Sequence, residues 1–280
     1  MAICALDKIN LKVKGTVINN NKTNKDGGAI AIWEKGSKKA KSEITFEACA
    51  INFNETESGN GGAVSFNNKL EGFAFTLSFI NSTIYGNKAK GFGGAMYFSQ
   101  ARTGSDLSII NCTIIENEVK SSGAGYTGGI RFNDTDNTGT SVISTKNMIK
   151  RIYNSIIENN FAAEGTNTYM DISFRAYTPE NNLDFYMNNS FVGKILATPA
   201  YESPAENKNV LNYGKGQAGL QTLTVDVVEK QNYVPLKDDS KAIAAGDSQY
   251  LKKFKVNTDQ IGNTRSFTNN QCTIGAVEVQ

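Results

Sequence analysis

Histidine is absent from this 280-residue chain, and with it the commonest general base and the commonest metal ligand. Proline is scarce, at 4 residues, so little interrupts a stack of strands. No apolar run approaches the roughly 20 residues that a membrane-spanning helix requires. Neither sign of charge dominates: 29 Lys and Arg against 27 Asp and Glu leave a net charge of +2, and no nucleic-acid footprint or strongly acidic partner is implied. Mean hydropathy is −0.36, and the one tryptophan is Trp33. The first residues lack the basic and long apolar regions of a signal peptide, so the chain is expected to begin inside a longer protein or after a removed leader.

What is present is asparagine, at about one residue in eight, together with 26 glycines and a phrase written four times. Gly27-Gly28-Ala29-Ile30-Ala31-Ile32 recurs as Gly61-Gly62-Ala63-Val64-Ser65-Phe66, as Gly93-Gly94-Ala95-Met96-Tyr97-Phe98 and, degenerate, as Thr127-Gly128-Gly129-Ile130-Arg131-Phe132. The starts lie 34, 32 and 34 residues apart, a period that signals a repeat architecture. A second phrase precedes each: a β-branched residue, two variable residues, then Asn. It ends at Asn20, Asn54, Asn87 and Asn117, and a fifth copy without Gly-Gly ends at Asn159. After each Gly-Gly, apolar residues alternate with Ala31, Ser65, Tyr97 and Arg131, the period of a half-buried strand.

Thirty-odd residues carrying three short strands close no core alone. Coiled into a solenoid, equivalent residues stack about 4.8 Å apart into apolar ladders. The expected fold is therefore all-β, a parallel β-helix. Asn20, Asn54, Asn87, Asn117 and Asn159 are read as a structural amide ladder at one corner. Gly28, Gly62, Gly94 and Gly128 are read as a corner of close backbone approach.

Gly-Gly-Ala-(Ile/Val/Met) after (Ile/Val)-x-x-Asn resembles the repeats of polymorphic outer-membrane proteins over roughly residues 10–165, with Ile or Val here in place of their Phe. The resemblance implies a single-stranded, right-handed, pectate-lyase-like β-helix on a bacterial surface. A second resemblance covers 233–280. Asp259-Gln260-Ile261-Gly262-Asn263-Thr264-Arg265 followed by Ile274-Gly275-Ala276-Val277-Glu278 is similar to the end of secreted bacterial β-helix proteins of the choice-of-anchor type. Lys241, Ala244 and Thr273 depart from that pattern. The chain divides into regular rungs (1–165), irregular final rungs and loops (166–232) and a C-terminal cap (233–280) expected to cover the last rung. Arg265 is expected to pair there with Asp259 or Glu278.

Catalytic residues are not identified. Asn257-Thr258-Asp259 resembles a polygalacturonase-type motif but lies in the cap with no histidine to complete it. Glu116 and Glu158 read as a shared, solvent-facing corner position. Cys49, Ser82 and Cys112 share a repeat position, which puts the two thiols two rungs, about 10 Å, apart; with Cys4 and Cys272 near opposite ends, four free thiols are expected. Asp134 and Asp136 form a weak calcium-loop pattern without the closing Glu; no cofactor is expected.

Variable loops leave the Gly-Gly strands at one end, from basic (34–41) to acidic (133–139), beside an outward face. Trp33, Tyr97 and Arg131, with Asn67 and Asn133, are the candidate ligand-binding residues of that face: aromatic rings stack on sugars, and Arg and Asn bond hydroxyls or carboxylates. The expected function is a non-enzymatic, extracellular or surface-exposed rod, adhesin-like, monomeric, with glycans or cell-surface polymers as partners. The alternatives are a polysaccharide lyase or glycoside hydrolase, and a trimeric phage or fibre-associated β-helix.

Overall fold

A computed structural model describes residues 1–5, 8–34, 40–67, 73–99, 104–121, 126–133, 148–163, 169–175, 185–197, 201, 205–211, 216–226 and 231–278. The chain coils into a parallel β-helix with four sides per turn. The first side holds Asn10–Lys14, Ala40–Glu47, Phe73–Ile80, Asp106–Ile110, Ile149–Tyr153 and Phe185–Asn188. The second starts with Val17–Asn19, Ala50–Asn52, Thr83–Tyr85, Thr113–Ile115 and Ile156–Glu158. It ends with Phe191–Val192 and Val210–Leu211. The third side is a stack of two-residue strands: Lys22–Thr23, Glu55–Thr56, Lys88–Ala89 and Glu118–Val119. The fourth carries the Gly-Gly strands, Ile30–Glu34, Val64–Asn67, Met96–Ser99 and Ile130–Asn133, with Ala2–Ala5 at one edge and Ile172–Phe174 and Ile195–Leu196 at the other. Among the described residues four turns have strands on all four sides, and the next keeps the third as a single parallel bridge of Phe161 on Glu118.

Inward residues stack in register. Ile18, Ile51, Ile84, Ile114 and Ile157 line the second side. Phe66, Phe98, Phe132 and Phe174 line the fourth, with successive rings 5.9, 5.4 and 5.2 Å apart. The inward position Lys150 is charged: it stacks on Leu107, is buried, donates to Met148 O at 3.2 Å and lies 5.5 Å from the Phe132 ring. Its place in the alternation Ile149-Lys150-Arg151-Ile152 is the signal for it.

The amide ladder is present, one residue out of the expected register at two rungs. It runs Asn21, Asn54, Asn87, Asn117, Asn160, each Nδ2 donating to the next Oδ1 at 2.8–2.9 Å. Asn20 and Asn159 are not rungs of it. They share with Phe53, Gly86 and Glu116 the preceding left-handed position, at φ 54–63°. In both Asn-Asn pairs the second residue aims inward, because Ile18 and Ile157, not their predecessors, align with Ile51 and Ile114. The same offset separates Glu116 from Glu158: Glu158 stacks on Ile115 and is buried, not solvent-facing.

The Gly-Gly corners explain themselves by contact. Gly27, Gly61 and Gly93 sit at φ 68–76°. A Cβ on Gly28 or Gly62 would stand 2.0–2.1 Å from the next rung's carbonyl oxygen, and one on Gly94 or Gly128 within 2.5 Å of backbone.

All four cysteines are free. Cys49 and Cys112 alternate with Ser82, Ser155 and Ser190 in one buried column. The serine hydroxyls donate to the carbonyl two residues back at 2.8–2.9 Å; the thiols do so at 3.4 Å. Burial pushes the Cys112 thiol up to about 12. Serine therefore fits both sites, and the Cys49→Ser/Cys112→Ser protein is expected to unfold within about 1 kcal/mol of wild type in urea. A loss above about 2 kcal/mol would show that the thiols do more than fill a column.

The C-terminal segment is a strap along the flank, not a lid over the last rung. Its course follows from a second left-handed corner, Asn81, Asn111, Asn154 and Asn189, at φ 47–49°. That conformation turns each amide outward, where the returning chain satisfies it: Asn81 on Thr258 O (2.5 Å), Asn111 on Thr273 O (2.8 Å), Asn154 on Asp247 O (2.9 Å) and Asn189 on Ala245 O (3.0 Å). The helix Ser248–Phe254 starts on Asp247, whose carboxylate accepts from Gln249 N. Leu251, Val256 and Cys272 pack on Ile80 and Ile110, and Ala218, Leu236, Ala242 and Ile274 pack on Ile156 and Phe191. Of the two expected partners of Arg265 the ion pair takes Glu278, at 3.0 Å. Among the described residues no helix is long and apolar enough to cross a membrane.

Candidate functional site

Two outward columns run up the fourth side, Ala31–Ser65–Tyr97–Arg131 and Trp33–Asn67–Ser99–Asn133, in the register expected from the repeats. A third column faces them. The residues just before the first glycine, or before Thr127, are Asp26, Asn60, Phe92 and Tyr126. The backbone holds the first three in line, through Gly27 N on Asn60 O and Gly61 N on Phe92 O, both 2.9 Å. Side chains reinforce it: Asp26 Oδ1 accepts from Asn60 N at 2.7 Å, and Asn60 Oδ1 accepts from Phe92 N at 2.8 Å.

Between the columns lies a groove whose depth is set by side-chain size. At the first two rungs the strand column is Ala31 and Ser65, and the groove is an open cleft of about 470 Å³. Its walls are Trp33 and Asn67 on the strands and Asn24, Lys25, Asp26, Ser58 and Gly59 on the turns. Asn67 Oδ1 is buried with no hydrogen-bond partner among the described residues. Asp26 is committed to Asn60, so its carboxylate helps to build the wall.

At the next two rungs the groove is plugged. The Phe92 ring stacks on Tyr126 at 4.7 Å and on Tyr97 at 6.3 Å, and the Arg131 guanidinium lies 5.3 Å over it. Arg131 also donates to Ser173 Oγ at 3.0 Å, and Asn133 Nδ2 donates to Tyr97 Oη at 3.0 Å. Tyr97 and Arg131 point outward as expected but are covered, at 9% and 7% exposure, so neither offers a free face to a ligand.

The five candidate binding residues therefore divide. Trp33 and Asn67 line the cleft; Tyr97, Arg131 and Asn133 belong to the plug that ends it. Asp134 and Asp136 lie outside the described residues. Among the described residues no group of His, Cys, Asp and Glu is arranged to hold a metal ion. The turn residues of the cleft and plug belong to neither repeated phrase; for Asp26, Asn60, Phe92 and Tyr126 the sequence carries one signal, their fixed place one residue before that phrase.

Comparison with protein-family models, curated proteins and solved structures finds no match for this chain.

Proposed function

We propose that the protein is a non-enzymatic, exported bacterial β-helix that binds glycans through the cleft beside Trp33. The observation that carries this reading is the cleft's composition: one indole wall, a floor of Ala31 and Ser65, and amide and hydroxyl groups around them. An indole offers a flat apolar surface to the C–H face of a sugar, while Asn67, Asn24 and Ser58 suit hydroxyl groups. Its volume falls in the range of small-molecule sites, about 300–1,000 Å³. The surface location rests on the outer-membrane repeat resemblance. Hydrolysis or elimination of a sugar chain needs a positioned acid and base. Among the described lining residues the one carboxylate is Asp26, and its Oδ1 accepts from Asn60, which favours binding over catalysis.

A glycan array probed with wild type and with Trp33→Ala is expected to give binding that the substitution lowers at least about tenfold, a change of about 1.4 kcal/mol. No binding by wild type, or binding that Trp33→Ala leaves unchanged, contradicts the proposal.

A further inference from the structure

The plug determines how a glycan can be held. A groove open along the whole solenoid would accept the interior of a polymer. This one is stopped at the third rung by Phe92, Tyr97 and Tyr126, locked from above by Arg131. Only two rungs stay open, about 10 Å along the axis at about 4.8 Å per rung, enough for two linked pyranose rings lying parallel to it. At the other end the strand columns continue below Ala31 and Trp33 with two small residues, Ala2 and Cys4.

From this geometry, and resting on the glycan reading above, we propose that the cleft is a chain-end site: it takes the terminal disaccharide of a glycan, with the last ring against the Phe92–Tyr97 wall and the rest of the chain leaving past Ala2 and Cys4. Trp33 supplies the stacking surface for one ring, and Asn67 lines the same wall beside it. Selectivity is then for what ends a chain, and the interior of a long polymer is excluded by the wall, because a ring beyond the second would have to displace Phe92 from between Tyr97 and Tyr126.

The test is calorimetry on the intact chain with gluco-, N-acetylglucosamine- and galacturono-oligosaccharides of one to six residues. In the series that binds, the disaccharide is expected to bind about tenfold or more tightly than the monosaccharide, and the tri- to hexasaccharides within about twofold of the disaccharide. Phe92→Ala, which shortens the plug at a half-buried turn position, should move that plateau to three residues or more. Ser65→Tyr places in the cleft the residue that the next rung already carries and should abolish binding. Affinity that keeps rising to the hexasaccharide in wild type, a plateau that Phe92→Ala does not move, or binding that survives Ser65→Tyr overturns the chain-end site while leaving glycan binding standing. No binding of any series by wild type removes both.

Discussion

Arg265→Ala is expected to cost about 3–5 kcal/mol of stability and to release the strap from the flank. Arg265 is the largest fully buried side chain among the described residues, and Glu278 beside it is buried too. One guanidinium nitrogen donates to Glu278 at 3.0 Å and to Thr273 O at 3.3 Å. The second terminal nitrogen donates to Asn81 Oδ1 at 2.8 Å and to the carbonyls of Gly275 and Ala276 at 2.9 and 3.0 Å, while Nε is buried with no partner among the described residues. It thus ties the strap to itself and to a corner of the coil. Its removal strands Glu278, whose remaining side-chain bond is to Thr273 Oγ1, as a buried carboxylate without a cation. The cost lies in that uncompensated charge, so Arg265→Met with Glu278→Leu should recover most of it. Urea denaturation measures the loss. Hydrogen exchange localises it: residues 245–278 should lose protection while amides of the Ile51, Ile84 and Ile114 stack keep theirs. A loss below about 1 kcal/mol, or uniform loss of protection along the chain, would contradict the strap as a separately anchored unit.

The second large effect concerns the end of the amide ladder. Each amide of the ladder donates to the next, so the last one, Asn160, needs an acceptor beyond the asparagines. Asp171 supplies that acceptor. Its Oδ1 accepts from Asn160 N (3.0 Å) and Nδ2 (2.8 Å), and its Oδ2 accepts from Lys194 N (2.8 Å). Burial pushes this carboxyl from 3.8 up to about 7 against those donors, and the buried Glu158 carboxylate nearby pushes the same way. A carboxyl raised in the folded state favours folding most when protonated. Its contribution is full below about pH 4 and is lost as pH rises through about 7. Wild type is therefore expected to lose about 2 kcal/mol between pH 5 and 7 from this group. Glu55, held below the ordinary carboxylate range by Lys120, contributes its pH dependence at lower pH, outside that window. In Asp171→Asn the fall should vanish, whatever the offset from turning an amide toward Lys194 N. Glu158→Gln should make it shallower by removing the like charge. Urea midpoints at pH 5, 6 and 7 for the three proteins are the measurement, and an unchanged slope in Asp171→Asn contradicts the assignment.

Much of the coil is legible in the amino-acid sequence, for a physical reason. In a solenoid each residue's neighbours are its own repeat equivalents, so local phrases set long-range contacts. The Gly-Gly register therefore places Ala31, Ser65, Tyr97 and Arg131 in one outward column and keeps Cys49 from Cys112. Three things are not legible there. The Asn-Asn pairs at 20–21 and 159–160 offer two registers, and only the stacking of Ile18 on Ile51 chooses between them. The strap's course depends on Asn81, Asn111, Asn154 and Asn189 meeting carbonyls 56 to 177 residues away, which no local pattern encodes. Tyr97 and Arg131 read as a free face because the strand pattern shows direction, not cover; Phe92 and Tyr126, which cover them, come from the turns.

The central claim is that the cleft beside Trp33 is where a glycan binds, and the chain's single tryptophan makes it directly measurable. Its fluorescence reports on that wall alone. Titration with the oligosaccharide that binds best is expected to shift Trp33 emission saturably, with a midpoint equal to the calorimetric Kd, and Ser65→Tyr should abolish both signals together. Calorimetric binding with unchanged Trp33 emission, or an undiminished shift in Ser65→Tyr, would contradict it.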